Sequence, residues 1–129
     1  MRRLEGKIAL VTGAARGIGL AIARHFAEQG ARVLLTDIQD ELAKSQLTSL
    51  PGAVAYRHLD VSKESDWQEC MNFVEAEYGK LDILVNNAGI TGFLETDGPH
   101  DHEHLDIDSW DRVHQVNATG VALGCKYGI

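Results

Sequence analysis

Residues 7–19 read KIALVTGAARGIG, and this stretch decides the fold. It begins with a short apolar run at positions 8–11, closed by Thr12-Gly13, which is typical of a strand buried on both faces. After the glycines, apolar residues recur with helical spacing at Ile18, Ile22 and Phe26. Strand, glycine-rich turn and helix together predict a nucleotide-phosphate site, because a helix start presents unpaired N–H groups and the positive end of its dipole.

The three glycines of this turn are expected to have different roles. Gly13 lets the chain turn sharply off the strand, Gly17 lets the backbone approach a pyrophosphate, and Gly19 lets the helix lie close to the sheet. Their spacing, G-x-x-x-G-x-G, differs from the G-x-G-x-x-G of the commonest dinucleotide fingerprint. Since glycine-rich turns also serve simply as helix caps, the turn alone leaves both interpretations open.

Length and composition limit the choice of function. The 129 residues, 44% of them hydrophobic, can form one domain (residues 1–129) with a core of its own. A net charge of −7 argues against a nucleic acid or an anionic membrane as partner. No apolar run approaches a membrane span, and no apolar signal core follows Arg2-Arg3. Cys70 and Cys125 lack C-x-x-C spacing, so we interpret them as reduced thiols of a cytoplasmic protein.

Four apolar segments alternate with helical ones along the chain. The predicted strands span 7–12, 31–37, 53–59 and 81–85, and the first two helices span 17–29 and 40–47. A third helix, with Ser62 or Ser65 as its cap, carries a stripe that runs from Trp67 to Tyr78. A last helix begins at Asp108 or Ser109 and continues as one element past Gly124.

This alternation predicts an α/β fold of the Rossmann type, a doubly wound parallel sheet of strand order 3-2-1-4 that stops after the fourth strand and its following helix. In such a sheet the ligand site lies beyond the carboxyl ends of the central strands. The residues expected at that edge are Thr12, Gly13, Asp37, Asp60, Asn86, Asn87, Ala88 and Gly89.

Asp37 has a separate physical argument. It ends the second strand, eighteen residues after Gly19, near the spacing expected of a ribose-binding carboxylate. A carboxylate can accept both ribose hydroxyls but repels a 2′-phosphate, which favours NAD over NADP. Arg16 points the other way, because a basic residue there could contact that phosphate. The alternative for Asp37 is an ordinary turn aspartate at a strand end.

Several motifs together resemble the N-terminal half of the short-chain dehydrogenase/reductase family. They are Thr12-Gly13-Ala14-Ala15-Arg16-Gly17-Ile18-Gly19, Asp60-Val61, Asn86-Asn87-Ala88-Gly89, and Asn117 at the end of WDRVHQVN. The matching stretches cover essentially the whole chain, in the family's order. The resemblance implies an oxidoreductase that moves hydride between a nicotinamide dinucleotide and an alcohol or ketone.

The same resemblance implies roles for individual residues. The turn that holds the pyrophosphate comprises Gly13, Arg16, Gly17, Ile18 and Gly19. Asp60 binds the adenine amino group with help from the backbone of Val61. Asn87, Ala88 and Gly89 pass beside the ribose, and the first part of that segment ties the central strands together. Asn117 kinks its helix and holds a water of the proton relay.

The chain departs from the family in its catalytic set. The family's serine and its Tyr-x-x-x-Lys follow the asparagine that matches Asn117, and none of Tyr56, Tyr78 and Tyr127 has a lysine four residues later. We therefore expect a truncated dehydrogenase or, alternatively, a non-catalytic dinucleotide-binding or assembly module. A third candidate, another Rossmann-like enzyme such as a methyltransferase, is disfavoured by the NNAG motif. The open edge of strand four predicts a homo-oligomer.

Residues 89–106 show no periodicity and predict a long loop. Within it, His100, His102 and His104 could face one way only if the segment is extended, and no second ligand cluster accompanies them. We therefore interpret this segment as a solvated loop and expect no metal site. In the family this loop borders the substrate pocket.

Overall fold

A four-stranded parallel sheet organises the structure, a computed structural model that describes residues 2–92, 98–99 and 101–129. The strands are β1 (Ile8–Val11), β2 (Arg32–Asp37), β3 (Val54–His58) and β4 (Ile83–Val85). Their order is β3-β2-β1-β4, so the predicted topology is confirmed. Leu10 in the central strand β1 lies opposite Leu34 on one side and Leu84 on the other.

Each strand is one or two residues shorter than predicted, and β4 shows why. Before β4 begins, the side chain of Asp82 accepts a hydrogen bond from the backbone N–H of Ile8 at 2.8 Å. Asp82 also donates its own N–H to the backbone oxygen of Ile8 at 2.9 Å. With one side-chain bond and one backbone bond at this position, the regular backbone pairing of β4 begins only at Ile83.

The helices are α1 (Gly17–Glu28), α2 (Asp40–Leu47), α3 (Glu64–Tyr78), α4 (Ile107–His114) and α5 (Gly120–Gly128). The predicted last helix is helical without a break over residues 107–128, but a π-helical turn, Gln115–Thr119, lies within it between α4 and α5. A 3-10 turn, His102–His104, also lies within the segment predicted to be loop.

Both predicted helix caps were wrong, and each was displaced by a neighbouring contact. The cap residue of α3 is Lys63, because the Ser62 hydroxyl donates to the Asp60 carboxylate instead. The cap of α4 is Asp106, whose side chain accepts from the backbone N–H of Asp108 at 3.2 Å. A carboxylate two residues before that N–H is well placed to satisfy it.

Side chains pack on both faces of the sheet, as a doubly wound fold requires. Leu10, Leu34 and Leu59 face α3, where the predicted stripe is confirmed by the buried residues Trp67, Cys70 and Val74. The opposite face buries Val11, Val33 and Leu35 against Ala23 and Ala27 of α1. No helix among residues 2–92, 98–99 and 101–129 has the length and hydropathy to cross a membrane.

The apolar stripe predicted on α1 is only partly buried. Ile18 is 73% exposed, whereas the face against the sheet consists of Gly19, Ala23 and Ala27. These small residues let the helix approach the sheet closely. A Cβ added at Gly19 would overlap the backbone oxygen of Gly13, which explains why this position has no side chain.

Candidate functional site

A cleft of about 790 Å³ opens at the carboxyl ends of the strands. It receives residues from the β1–α1 turn, from the ends of β2 and β3, from the segment after β4 and from α4. Of the residues predicted to contact a cofactor, all but Gly19 line it: Gly13, Arg16, Gly17, Ile18, Asp37, Asp60, Val61, Asn87, Ala88 and Gly89.

The start of α1 is arranged to receive an anion. Its cap residue, Arg16, has extended backbone and makes no capping side-chain bond, and its first turn carries no acidic residue. By contrast α2, α3 and α4 each have an acidic residue in the first turn. The N–H groups of the first turn of α1 are therefore available to a ligand, with the helix dipole in its favour.

Gly17 leaves the space that such a ligand requires. Its φ is +61°, a conformation that other residues rarely adopt. Apart from its chain neighbours and the adjacent backbone of its own helix, no atom of the described residues lies within 4 Å of where its Cβ would be. This open space faces the cleft, since Gly17 is one of its lining residues. The geometry thus suits a pyrophosphate lying against the backbone.

The segment after β4 is tied to the glycine turn by hydrogen bonds. The amide of Asn87 donates to the backbone oxygens of Thr12 and Gly13, at 3.1 and 3.2 Å. The Thr12 hydroxyl accepts from the backbone N–H groups of Asn87 and Ala88, both at 3.0 Å. Gly13 packs so closely that an added Cβ would lie 2.8 Å from Cα of Ala88. These bonds fix one wall of the cleft.

Asp37 is buried, 8% exposed, at the floor of the cleft. Its Oδ2 accepts from the backbone N–H of Ala15 at 3.0 Å, and its Oδ1 accepts from those of Ile38 and Gln39 at 2.7 and 3.0 Å. The carboxylate therefore makes the turn contacts of a strand-end aspartate and also braces the glycine turn. Because an ionised carboxylate offers about four acceptor positions, three protein donors leave room for a ligand.

A second polar cluster, which was not predicted, joins Tyr56 and His58 of β3 to Asp40 at the start of α2. The Tyr56 hydroxyl bonds the backbone oxygen of Asp37 at 2.8 Å and also the carboxylate of Asp40. Burial, and then the bond to Asp40, raises the pKa of Tyr56, so the hydroxyl stays a donor. His58 Nδ1 lies 2.9 Å from Asp40 Oδ1.

Asp60 lies two residues after β3, the strand that neighbours β2, and it remains ionised in spite of its burial. Burial alone would raise its pKa, but the bonds from Ser62 and the positive charges of Arg112 and Lys63 outweigh that effect and lower the pKa. Its backbone N–H donates to the Asp66 carboxylate at 2.9 Å. Arg112 was missed as a site residue, although its position four residues before Val116 puts both on the cleft side of the helix.

Asn117 lies in the π-helical turn and is not among the lining residues of the cleft. Its side-chain Oδ1 accepts from the N–H of Ile90, and its Nδ2 donates to the oxygen of Ile90, both at 2.8 Å. The wide turn and the paired amide bring the last helical segment against the chain that follows β4. A kink at Asn117, which the family resemblance implies, corresponds to this turn.

The histidine-rich segment supplies no metal centre within the part of the chain that the structure describes, where no group of three His, Cys, Asp or Glu residues could hold an ion. His104 Nδ1 instead lies 2.6 Å from Asp101 Oδ1. His100, the first histidine of the predicted cluster, lies outside the described residues.

Comparisons with known proteins agree with this geometry. The sequence model of a family described as short chain dehydrogenase matches residues 7–129. Zerumbone synthase from Zingiber zerumbet is 45% identical over 127 residues, which cover 97% of this chain and 46% of that protein. Mitochondrial borneol dehydrogenase from Lavandula x intermedia is also 45% identical, with coverage of 98% and 47%.

A solved structure, 3-ketoacyl-(acyl-carrier-protein) reductase from Brucella melitensis complexed with NADH, superposes with a TM-score of 0.84 at 36% identity. The match covers 95% of this chain and 48% of that one. The chain thus spans about half the length of the curated relatives it matches.

Proposed function

Because this chain belongs to the short-chain dehydrogenase family, we propose that its cleft binds a nicotinamide dinucleotide. We propose further that this cleft is the cofactor site of an oxidoreductase that acts on small alcohols or ketones. The observation that carries the proposal is the uncapped start of α1, which opens into the same cleft as two strand-end aspartates. The related structure with NADH supports the same class of ligand.

Each part of the cleft suits one part of the cofactor. The free N–H groups at Gly17 and Ile18 would hold the pyrophosphate, and the open space beyond Gly17 accommodates it. Asp37 would accept ribose hydroxyls, while Asp60 and the backbone of Val61 would hold the adenine. Asn87 fixes the strands, so that Ala88 and Gly89 form the wall beside the second ribose.

We propose NAD rather than NADP as the preferred cofactor. Asp37 is buried and already holds three backbone N–H groups, so it cannot swing away from a 2′-phosphate without breaking them. A phosphate beside this fixed carboxylate would be repelled in a partly dry site. Arg16 is exposed at the mouth of the cleft, where solvent weakens any compensating attraction.

When bound, the nicotinamide ring supplies the acceptor or donor of hydride. The residues of this chain bind and orient it, and Asn117 acts as a positioning residue. Because both polar atoms of its side chain are paired with Ile90, any water of a proton relay would be held by a remaining lone pair of Oδ1 or by the backbone of the π-helical turn.

Calorimetric titration with NAD and NADP tests the binding proposal. We expect NAD to bind more tightly, and Asp37→Ala to weaken NAD and to reduce the discrimination by roughly 1–3 kcal/mol. Thermal unfolding of the same variant shows whether the affinity falls because the ribose contact is lost or because the glycine turn, which Asp37 holds through Ala15, is destabilised. Asp111→Ala, an exposed carboxylate on α4, is the matched control and should leave both affinities unchanged. Equal or tighter binding of NADP by the unmodified chain would contradict the proposal.

The alternative is a dinucleotide-binding or assembly module without catalysis. The 129 residues by themselves contain no Tyr-x-x-x-Lys, so the isolated chain offers its cleft no acid/base pair of that kind. A positioned acid or base contributes about 10²–10⁴-fold to such reactions. We therefore expect the 129-residue chain by itself to bind NADH without enzyme-like turnover of secondary alcohols or ketones, and robust turnover would exclude this alternative.

A further inference from the structure

Asp60, Ser62 and Arg112 form a closed ring of polar contacts at the end of β3. Oδ1 of Asp60 accepts from both the backbone N–H and the hydroxyl of Ser62, at 3.0 and 2.6 Å. The Ser62 oxygen in turn accepts from Nη1 of Arg112 at 3.0 Å. Nη2 of the same guanidinium lies 3.7 Å from Oδ2 of Asp60. The ring joins the loop after β3 to α4.

The two carboxylate oxygens of Asp60 are consequently not equivalent. Oδ1 is used by Ser62, whereas the contact of Oδ2 with Arg112 is longer than a hydrogen bond and is only an ion pair. The Asp60 side chain is 13% exposed, and both Asp60 and Arg112 line the cleft. Oδ2 therefore presents one acceptor to a bound ligand, with Arg112 holding the group in place.

An ionised carboxylate only accepts hydrogen bonds, and this decides which bases it can recognise. Adenine offers an exocyclic amino group, a donor, at C6. Hypoxanthine has an oxygen at that position, which would face the carboxylate as a second acceptor. Were Asp60 protonated, its carboxyl group could donate to that oxygen and the distinction would weaken.

We propose that Arg112 is a specificity-determining residue that, through Ser62, keeps Asp60 a fixed acceptor and so makes the cleft select adenine over hypoxanthine dinucleotides. The inference rests on the proposed binding of a dinucleotide with its base at Asp60. Arg112 does this in two ways: its charge favours the ionised carboxylate, and its bond to Ser62 keeps the serine hydroxyl directed at Oδ1.

The test is a calorimetric comparison of NAD with nicotinamide hypoxanthine dinucleotide. We expect the unmodified chain to prefer NAD by about tenfold, as for one charge-assisted hydrogen bond. Arg112→Met should reduce that ratio about threefold or more, and Arg112→Lys, which keeps the charge, should restore part of it. Arg24→Met is the matched control, because Arg24 also donates to a neighbouring loop, at Ser49, but does not line the cleft.

A pH series separates base selection from a merely structural role of Arg112. With the guanidinium gone, protonation of Asp60 becomes easier, so the NAD preference of Arg112→Met should decline at a higher pH than that of the unmodified chain. Ser62→Ala should change the ratio in the same direction and provides a second variant should Arg112→Met fold poorly.

The possible outcomes are distinct. Failure of the unmodified chain to bind either dinucleotide would overturn the proposed function and this inference together. Binding of NAD with a base preference that neither Arg112→Met nor Ser62→Ala alters would overturn the role of Arg112 alone.

Discussion

Gly17 and Gly19 are two residues apart, yet they exclude side chains for different reasons. Gly17 faces open space at φ +61°, whereas a Cβ at Gly19 would overlap the backbone of Gly13. We expect Gly17→Ala to remain folded, at a cost of about 1–2 kcal/mol for the left-handed conformation, and to lose most of its affinity for NAD. Gly19→Ala should unfold more easily by about 3 kcal/mol.

Chemical denaturation and NAD titration of the two variants measure these effects together. We expect Gly17→Ala to remain folded but to bind NAD poorly, and Gly19→Ala to lose stability. If Gly17→Ala bound NAD as well as the unmodified chain does, the glycine turn would be only a helix cap.

The two cysteines provide a second contrast at the residue scale. Cys70 lies on the buried face of α3, and this burial raises the pKa of its thiol to about 11. Cys125, by contrast, is exposed. Since only the thiolate reacts, we expect an aromatic disulfide reagent at neutral pH to modify one thiol in the folded chain and two in denaturant. In the Cys125→Ser variant the reagent should modify no thiol in the folded chain and one thiol in denaturant. Rapid labelling of Cys70 in the folded chain would contradict its burial.

At the scale of elements, one buried hydroxyl makes two of the hydrogen bonds that join β1 to the segment after β4. Thr12 is 1% exposed, and its Oγ1 accepts from the N–H groups of Asn87 and Ala88. Thr12→Val keeps the shape but leaves the N–H of Ala88 unpaired and that of Asn87 with only the backbone oxygen of Val85. We therefore expect a loss of about 2 kcal/mol in the free energy of unfolding, together with weaker NAD binding.

Thr12→Ser is the matched variant, because it keeps the hydroxyl and removes only a methyl group. It should cost about 1 kcal/mol and leave NAD affinity intact. Equal losses in the two variants, measured by urea denaturation, would show that packing rather than hydrogen bonding joins these elements.

The elements that could be predicted are those with a local signal. Four apolar runs closed by turn residues predicted a parallel sheet, and the order 3-2-1-4 followed once strand four was assumed to lie on the other side of strand one. That order placed Asp37 and Asp60 at one edge. The helix caps could not be predicted, because Ser62 had a stronger partner in Asp60, close in sequence but outside any helix pattern. The π-helical turn and the ring at Arg112 depend on contacts between distant segments, which residue periodicity does not report.

Helical spacing and burial disagree at one residue of the site. Ile18 continues the apolar spacing of α1 and was also expected in the pyrophosphate turn; it is largely exposed and lines the cleft. An apolar residue at the start of that helix is available to a ligand rather than to the sheet. Local and global preferences disagree most readily at functional positions.

At the scale of the whole molecule, apolar surface remains uncovered. Leu105, Ile107 and Trp110 are each more than half exposed, and β4 is only half buried at the edge of the sheet. We therefore expect the 129-residue chain to self-associate at micromolar concentration, as judged by light scattering. Trp110→Glu should shift the population toward monomer, with Asp111→Asn as its neighbouring control. A monodisperse monomer would contradict this expectation.

The position of β1 at the centre of a parallel sheet also governs how the chain reaches its native state. The strand comes first in the sequence, but β4, one of its two partners, begins at Ile83, and the bond from Ile8 N–H to Asp82 closes a loop of 74 residues. Such distant pairing is slow to nucleate, since loop-closure entropy is lost before the contacts form. During synthesis, β1 can therefore pair fully only after the segment through Val85 has emerged, although it is completely buried in the folded chain.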